Sequence, residues 1–459
     1  MTKTKKDSEQ CRANERRRRV LFTAAASLVA RGTQAIATLI SVPLTVRYLG
    51  QERYGMWMAI SSITGMLAFA DFGLGNGLLN AVADAHGRGD RVAARKAVST
   101  AFLLLSTIAV GLMVFFFAIQ EGVPWASFFN VQSSVAQMEI RQTVVAVVTC
   151  FAIGVPLGVV QRVQLGYQEG FASNLWQAGG AILGLIGLIC AVRMGVGVPG
   201  LVFAFYGGPL FALVLNFLNQ FGRSRTWLVP TPRAFELGIA RSLGRAGSMF
   251  FVAQLGTVLI LNAPNLVIAR LLGANTVAPY SVVMKPIQAL TLLTALWAIP
   301  LWPAYGEAAA RGDWNWIART FRRTAVLGLL VSVSGASLFF AFHRSILGYW
   351  VGVDLIPDGL TVGATCLFLV ANSVRLTGSM CLNGLGHLRG QVGYQLLVGA
   401  AAVGLSLPLA RALGLGGIAV AFAVGEAVIG ACVAVEVVIL LARRADSDAD
   451  AIRVLEGRA

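Results

Sequence analysis

Three basic residues, Arg31, Lys285 and Arg375, lie deep inside hydrophobic stretches of this sequence, and each sits among polar residues at helical spacing. Around Arg31 the series Ser27, Arg31, Gln34, Thr38, Ser41 and Thr45 recurs every three or four positions, which puts all six on one helix face. Ser281, Lys285, Gln288 and Thr291 repeat the pattern, as do Asn372, Arg375, Ser379 and Asn383. A paler stripe runs through Gln254, Thr257, Asn262 and Asn265. Guanidinium and ammonium groups bind phosphate, while hydroxyls and carboxamides bond neutral polar groups. An arginine at the bilayer centre costs at least ~2.5 kcal/mol, so these cations should face protein or water, not lipid. The pattern predicts a cationic, polar-lined cavity for an anionic substrate, contacted by Arg31, Lys285 and Arg375 and lined by Gln34, Thr38, Ser41, Gln254, Gln288 and Asn372. Two acids fall in the same zone: Asp71 and Glu426 are either counter-ions of the cavity arginines or proton or cation coupling sites.

Other chemistry has little support. There is no GxxxxGK[ST] loop for ATP phosphates, and His86, His343 and His387 are too dispersed for a metal site. No Ser/His/Asp grouping suggests a catalytic centre, so neither an enzyme nor a cofactor is expected. The six cysteines are scattered without metal-ligand or disulfide spacing and read as apolar packing.

The elements that must carry these residues follow from composition. The 459 residues are 56% hydrophobic and 13% charged, against about 25% charged in soluble domains. Apolar runs of roughly 20 residues recur, each long enough for a bilayer core. An all-α integral membrane protein of about twelve transmembrane helices is predicted, the first two over 20–49 and 54–80 and the last two over 391–411 and 415–441. The net charge of +16 is concentrated in the N-terminus, alternate loops and C-terminus, a positive-inside pattern that places both termini in the cytoplasm and needs no nucleic acid partner. The basic run Arg16 to Arg19 and its long apolar sequel read as a signal-anchor. The expected division is a basic N-terminus (1–19), a first six-helix bundle (20–221), a cytoplasmic linker acting as hinge (222–246), a second bundle (247–441) and a cytoplasmic tail (442–459).

Internal duplication supports that division. Arg47-Tyr48-Leu49-Gly50 returns as Arg270-Leu271-Leu272-Gly273, and the same offset relates Asp84 to Glu307 and Arg88-Gly89-Asp90 to Arg311-Gly312-Asp313. An even helix number per repeat makes the repeats parallel, an arrangement that usually encloses a central cavity. Gly73, Gly75 and Gly77 suit close packing or bending of the second helix, and Pro43, Pro264, Pro300 and Pro303 invite kinks.

The stretch from Arg47-Tyr48-Leu49-Gly50 through Tyr54-Gly55 and Asp71-Phe72-Gly73-Leu74-Gly75-Asn76-Gly77 to Gly87-Arg88-Gly89-Asp90 resembles the polysaccharide-transporter family, the Wzx-type O-antigen and exopolysaccharide flippases. These belong to the multidrug/oligosaccharidyl-lipid/polysaccharide exporter superfamily. The resemblance implies two six-helix bundles around a central cavity and movement of an undecaprenyl-pyrophosphate-linked oligosaccharide across the bacterial inner membrane, for O-antigen, capsule or exopolysaccharide biosynthesis. It implies membrane lipid and polysaccharide polymerase machinery as partners and a monomeric transporter. A proton- or sodium-coupled multidrug antiporter of the same superfamily is the alternative, and a major-facilitator transporter is a more distant one.

Overall fold

The structure, a computed structural model, describes the backbone of residues 2–67, 71–387 and 389–456. Side chains are described from residue 26 to 444, apart from residues 28, 64, 66–70, 246, 249–250, 252–254, 256–259, 303, 310 and 388–389. The side chains of Arg16 to Arg19, Gln254, Thr257 and Pro303 therefore lie outside the described residues, as do most of those in the 442–459 tail. Every regular element described is helical. That is the expected response of a chain in lipid, where the backbone must satisfy its own hydrogen bonds. Among the described residues, nine stretches are long and apolar enough to cross a membrane. The protein is an all-α, multi-pass membrane protein of two helical units, residues 1–252 and 253–459.

Two of the nine stretches lie in helices that carry a non-helical break. Helix α1 (Thr2–Leu67) is broken at Gly50 (φ 75°, ψ 173°), as the separate 20–49 and 54–80 spans require. The second of those spans does not run on to residue 80. Helix α2 (Leu74–Arg88) is a separate element, preceded by a turn in which Phe72 (φ 47°) and Gly73 (φ 73°) are left-handed. Asp71 makes this turn: its Oδ1 accepts the Gly73 N–H (2.9 Å) and its carbonyl accepts the Leu74 N–H (2.8 Å). Such local bonding competes with helix continuation. Asp71 is therefore a turn residue and not, as its sequence position suggests, part of a continuous second helix.

The first unit continues with α3 (Arg91–Ile119), the short α4 (Trp125–Phe128), α5 (Ser134–Leu157), α6 (Val159–Gly166), α7 (Gly170–Arg193), α8 (Val198–Asn219) and the start of α9 (Leu237–Leu272). Leu78 and Val82 of α2, Val98 of α3 and Val160 and Val163 of α6 share a fully buried core. Glycines bring backbones together: a Cβ on Gly208 of α8 would lie 2.1 Å from the Gly184 nitrogen of α7. Close approach through small residues is the usual basis of helix association in lipid.

The expected linker, 222–246, packs on this unit. Arg225 makes a two-pronged contact with Glu169 (2.8 and 2.7 Å) and covers the Tyr167 ring at 4.1 Å. The Glu169 carboxylate raises the Arg225 pKa, and burial raises that of the Tyr167 phenol. Lys96 pairs with Glu236 (2.9 Å), and Arg91 lies over Trp227.

The second unit holds α10 (Ala274–Ala310), α11 (Trp314–Trp350), α12 (Gly359–Gly384) and α13 (Arg389–Glu456), the last broken at Gly414 (φ 58°, ψ −134°) between the expected 391–411 and 415–441 spans. Helix α12 packs on the other three. The breaks recorded within helices thus fall at Gly50 and Gly414, whereas Pro43 and Pro264 are carried inside α1 and α9.

The duplicated turn has the same physics in both units. Arg88 bridges to Asp84 (2.7 Å) and Arg311 to Glu307 (2.5 Å), each one helical turn earlier. Gly89 (φ 71°) and Gly312 (φ 73°) then take left-handed conformations. Asp90 accepts the Ala93 N–H and Asp313 the Trp316 N–H, capping α3 and α11.

Gly73 combines a left-handed backbone with close contact, since its Cβ would lie 2.1 Å from the Gly247 carbonyl oxygen. Gly73→Ala should destabilise the purified protein by roughly 2 kcal/mol or more, from left-handed strain and overpacking together. Gly87→Ala, in α2 with open space around it, should leave the thermal unfolding midpoint unchanged or raise it.

Candidate functional site

The α1 stripe divides into residues bonded to their own helix and residues that are not. Thr38 donates to the Gln34 carbonyl (2.8 Å), Ser41 to that of Thr38 (2.9 Å) and Thr45 to that of Ser41 (2.7 Å). Ser41 and Thr45 are buried. Arg31 is half-buried, Gln34 is exposed, and neither side chain has a hydrogen-bond or ion-pair partner among the described residues.

Gln34 and Thr38 face a cavity of about 760 Å³ within the first unit. Asp71 lines it from the turn before α2, Gln161 and Arg162 from α6, and Trp176 and Gln177 from α7. The position of α6 is set by a buried reciprocal pair, Gln164 with Asn216 of α8 (2.7 and 3.1 Å), and by Arg162 donating to Asn76 (3.1 Å). A Cβ at Gly75 would meet Arg162 Nε at 2.8 Å and Asp71 Oδ2 at 3.0 Å, so glycine there lets the two charged groups converge. They do not form a direct ion pair, and Asp71 is not the counter-ion of Arg31 either.

The second unit assembles a different group. Glu426 of α13 is fully buried, and its Oε1 accepts from Arg375 Nε (2.5 Å) and Asn372 Nδ2 (2.7 Å), both on α12. Glu426 is thus the counter-ion of Arg375, and the Arg375 side chain is only 14% exposed. Its charge is met from within the protein. Lys285 of α10 is half-buried without a described partner, and Gln288 is exposed one turn on.

Of the expected residues, Gln34, Thr38 and Asp71 surround one cavity and Asn372, Arg375 and Glu426 form one cluster; Arg31, Ser41, Lys285 and Gln288 join neither, and the Gln254 side chain lies outside the described residues. Arg162, Gln161 and Gln177 were missed by the sequence reading. The available signal is Arg162 itself, a charge inside an apolar run.

Removing one member of a buried pair strands the other. Glu426→Ala should lower stability by about 3–5 kcal/mol, while Glu426→Ala with Arg375→Met should recover most of the loss. Unfolding midpoints of the three proteins in one detergent check this.

The sequence model of the family described as polysaccharide biosynthesis protein matches residues 21–307. A Salmonella typhimurium protein described as an O-antigen transporter is 22% identical over 335 residues, 71% of this chain and 74% of its own length. A Yersinia pseudotuberculosis protein described as an O-antigen export protein is 20% identical over 379 residues, 80% of this chain and 84% of its own. Among solved structures, an inward-facing multidrug resistance MATE transporter of the MOP superfamily aligns with a TM-score of 0.79 at 16% identity, over 92% of this chain and 99% of that one. A MOP superfamily transporter from Pyrococcus furiosus aligns at 0.69 and 16% identity, over 94% and 96%. The structural likeness shows the fold, and the match over 21–307 shows the family: this chain is a membrane transporter belonging to the polysaccharide biosynthesis protein family.

Proposed function

We propose that the chain is a flippase that moves an undecaprenyl-pyrophosphate-linked oligosaccharide from the inner to the outer leaflet of the bacterial cytoplasmic membrane, by alternating access of its two bundles. The positive-inside pattern supports two cytoplasmic termini. The names of the O-antigen relatives support the substrate class. The observation that carries the reading is the charge of the membrane-spanning helices: Arg31 and Lys285 are basic and have no acidic partner among the described residues. A cation in a low-dielectric region is stabilised by water or by an anion, and a pyrophosphate supplies two anionic centres. Arg375, paired with Glu426, holds α12 to α13.

The antiporter alternative calls for an acid free to take up a cation. Glu426 is paired with Arg375, and Asp71 shares its cavity with Arg162, so the charges favour the anionic lipid-linked substrate.

Arg31→Ala and Lys285→Ala should each lower glycan export roughly tenfold or more at matched protein levels, the loss expected for one charge-assisted bond of about 1.5–3 kcal/mol. Arg31→Lys should retain part of the activity. Full export by both alanine variants would overturn the assignment of these cations to the pyrophosphate.

A further inference from the structure

We infer that the cavity inside the first unit is a glycan subsite, which takes a neutral, hydroxyl-rich sugar unit of the cargo while its pyrophosphate is met outside this cavity. This rests on the flippase reading above and adds to it where in the protein the sugar goes, and which chemistry receives it.

The cavity's chemistry selects such a ligand. Its polar wall offers the carboxamides of Gln34 and Gln161, neither with a side-chain partner among the described residues. A carboxamide both donates and accepts, as a sugar hydroxyl does. Asp71 uses Oδ1 on the Gly73 N–H and keeps Oδ2. Arg162 uses Nη1 on Asn76 and keeps Nε and Nη2. Those unused atoms meet around Gly75 without bonding to each other, one acceptor and one donor group set where two neighbouring hydroxyls can bridge them. The opposite chemistry is present too: Trp176 and Phe205 line the same space, and aromatic rings suit the C–H side of a sugar.

Competing ligands fit worse. Asp71 and Arg162 together carry no net formal charge, so a phosphate would be held near a carboxylate and a cationic drug near a guanidinium. A purely apolar molecule would leave the polar wall unpaired, at a cost for each polar group it takes out of water. Ordered water alone does not need this much room. At its share of liquid volume, water would number roughly 25 molecules in 760 Å³, and the volume lies within the range of small-molecule sites. The space exists because glycines line it from separate elements, Gly65 of α1, Gly75 of α2 and Gly154 of α5. A Cβ on Gly154 would meet nothing within 4 Å.

The test uses the full chain in its own host, with the host's own lipid-linked glycan as probe. Deleting the gene should trap that glycan on the cytoplasmic leaflet; if none accumulates, the flippase reading itself falls. With trapping established, Gly154→Trp, which grows a ring into the open space, should cut export at least tenfold relative to Gly154→Ala, at equal amounts of monodisperse protein. Should the plug fail to fold, Gln34→Leu with Gln161→Leu keeps the bulk, removes the hydrogen bonding and should cut export similarly. A photo-crosslinker in place of Leu210, which also lines the cavity, should capture sugar-bearing adducts, visible by mass spectrometry and lost in cells that cannot assemble the glycan. Export within twofold of wild type in the folded plug or leucine variants, or adducts with acyl chains alone, overturns the subsite and leaves the flippase reading standing.

Discussion

A charge inside a membrane protein must be met by an opposite charge, by water or by a ligand, and that requirement organises this molecule. In the second unit it is met internally, where Arg375 and Asn372 close on the fully buried Glu426. In the first unit it is met incompletely, since Asp71 and Arg162 approach the same glycine without pairing. Arg31 and Lys285 are not met by any described acid. The closed group is an adhesive between helices, and the open groups are those that we propose meet the cargo.

Small residues make that distribution possible. Gly184 and Gly208 let α7 and α8 touch through their backbones, and Gly73 does the same against Gly247. Elsewhere glycine leaves volume instead of removing it, as at Gly154 beside the cavity. One residue type thus serves close contact at some positions and open space at others, and the difference lies in the neighbours. The segment joining the two repeats follows the same logic of fixed contacts: Arg225 and Glu236 strap it to the first unit.

The fold class was legible because its signals are local and periodic. Apolar length predicts spans, and the Arg-Gly-Asp repeat has a local mechanism: a one-turn ion pair, a left-handed glycine and an aspartate cap. The turn at Asp71 was not legible, because an aspartate that caps its own backbone looks in sequence like any aspartate in an apolar run. Partnerships were harder still. Arg375 and Glu426 are far apart in sequence, and nothing in their order distinguishes a neutralised arginine from an available one. The helical face of α1 was visible, but which hydroxyls fold back on their own carbonyls was not. Arg162 carried a signal of its own, hidden by its place near the end of an apolar stretch.

The most direct measurement is translocation by the purified protein. Sealed liposomes would carry the host's undecaprenyl-pyrophosphate-linked glycan in both leaflets, and an externally added glycosidase would report the outward-facing share. The predicted result is that the wild-type protein exposes the protected inner pool as well, while a headgroup-matched phospholipid reporter stays in place. An inner pool that remains protected with correctly folded protein, or equal movement of the phospholipid reporter, would contradict a flippase selective for the lipid-linked glycan.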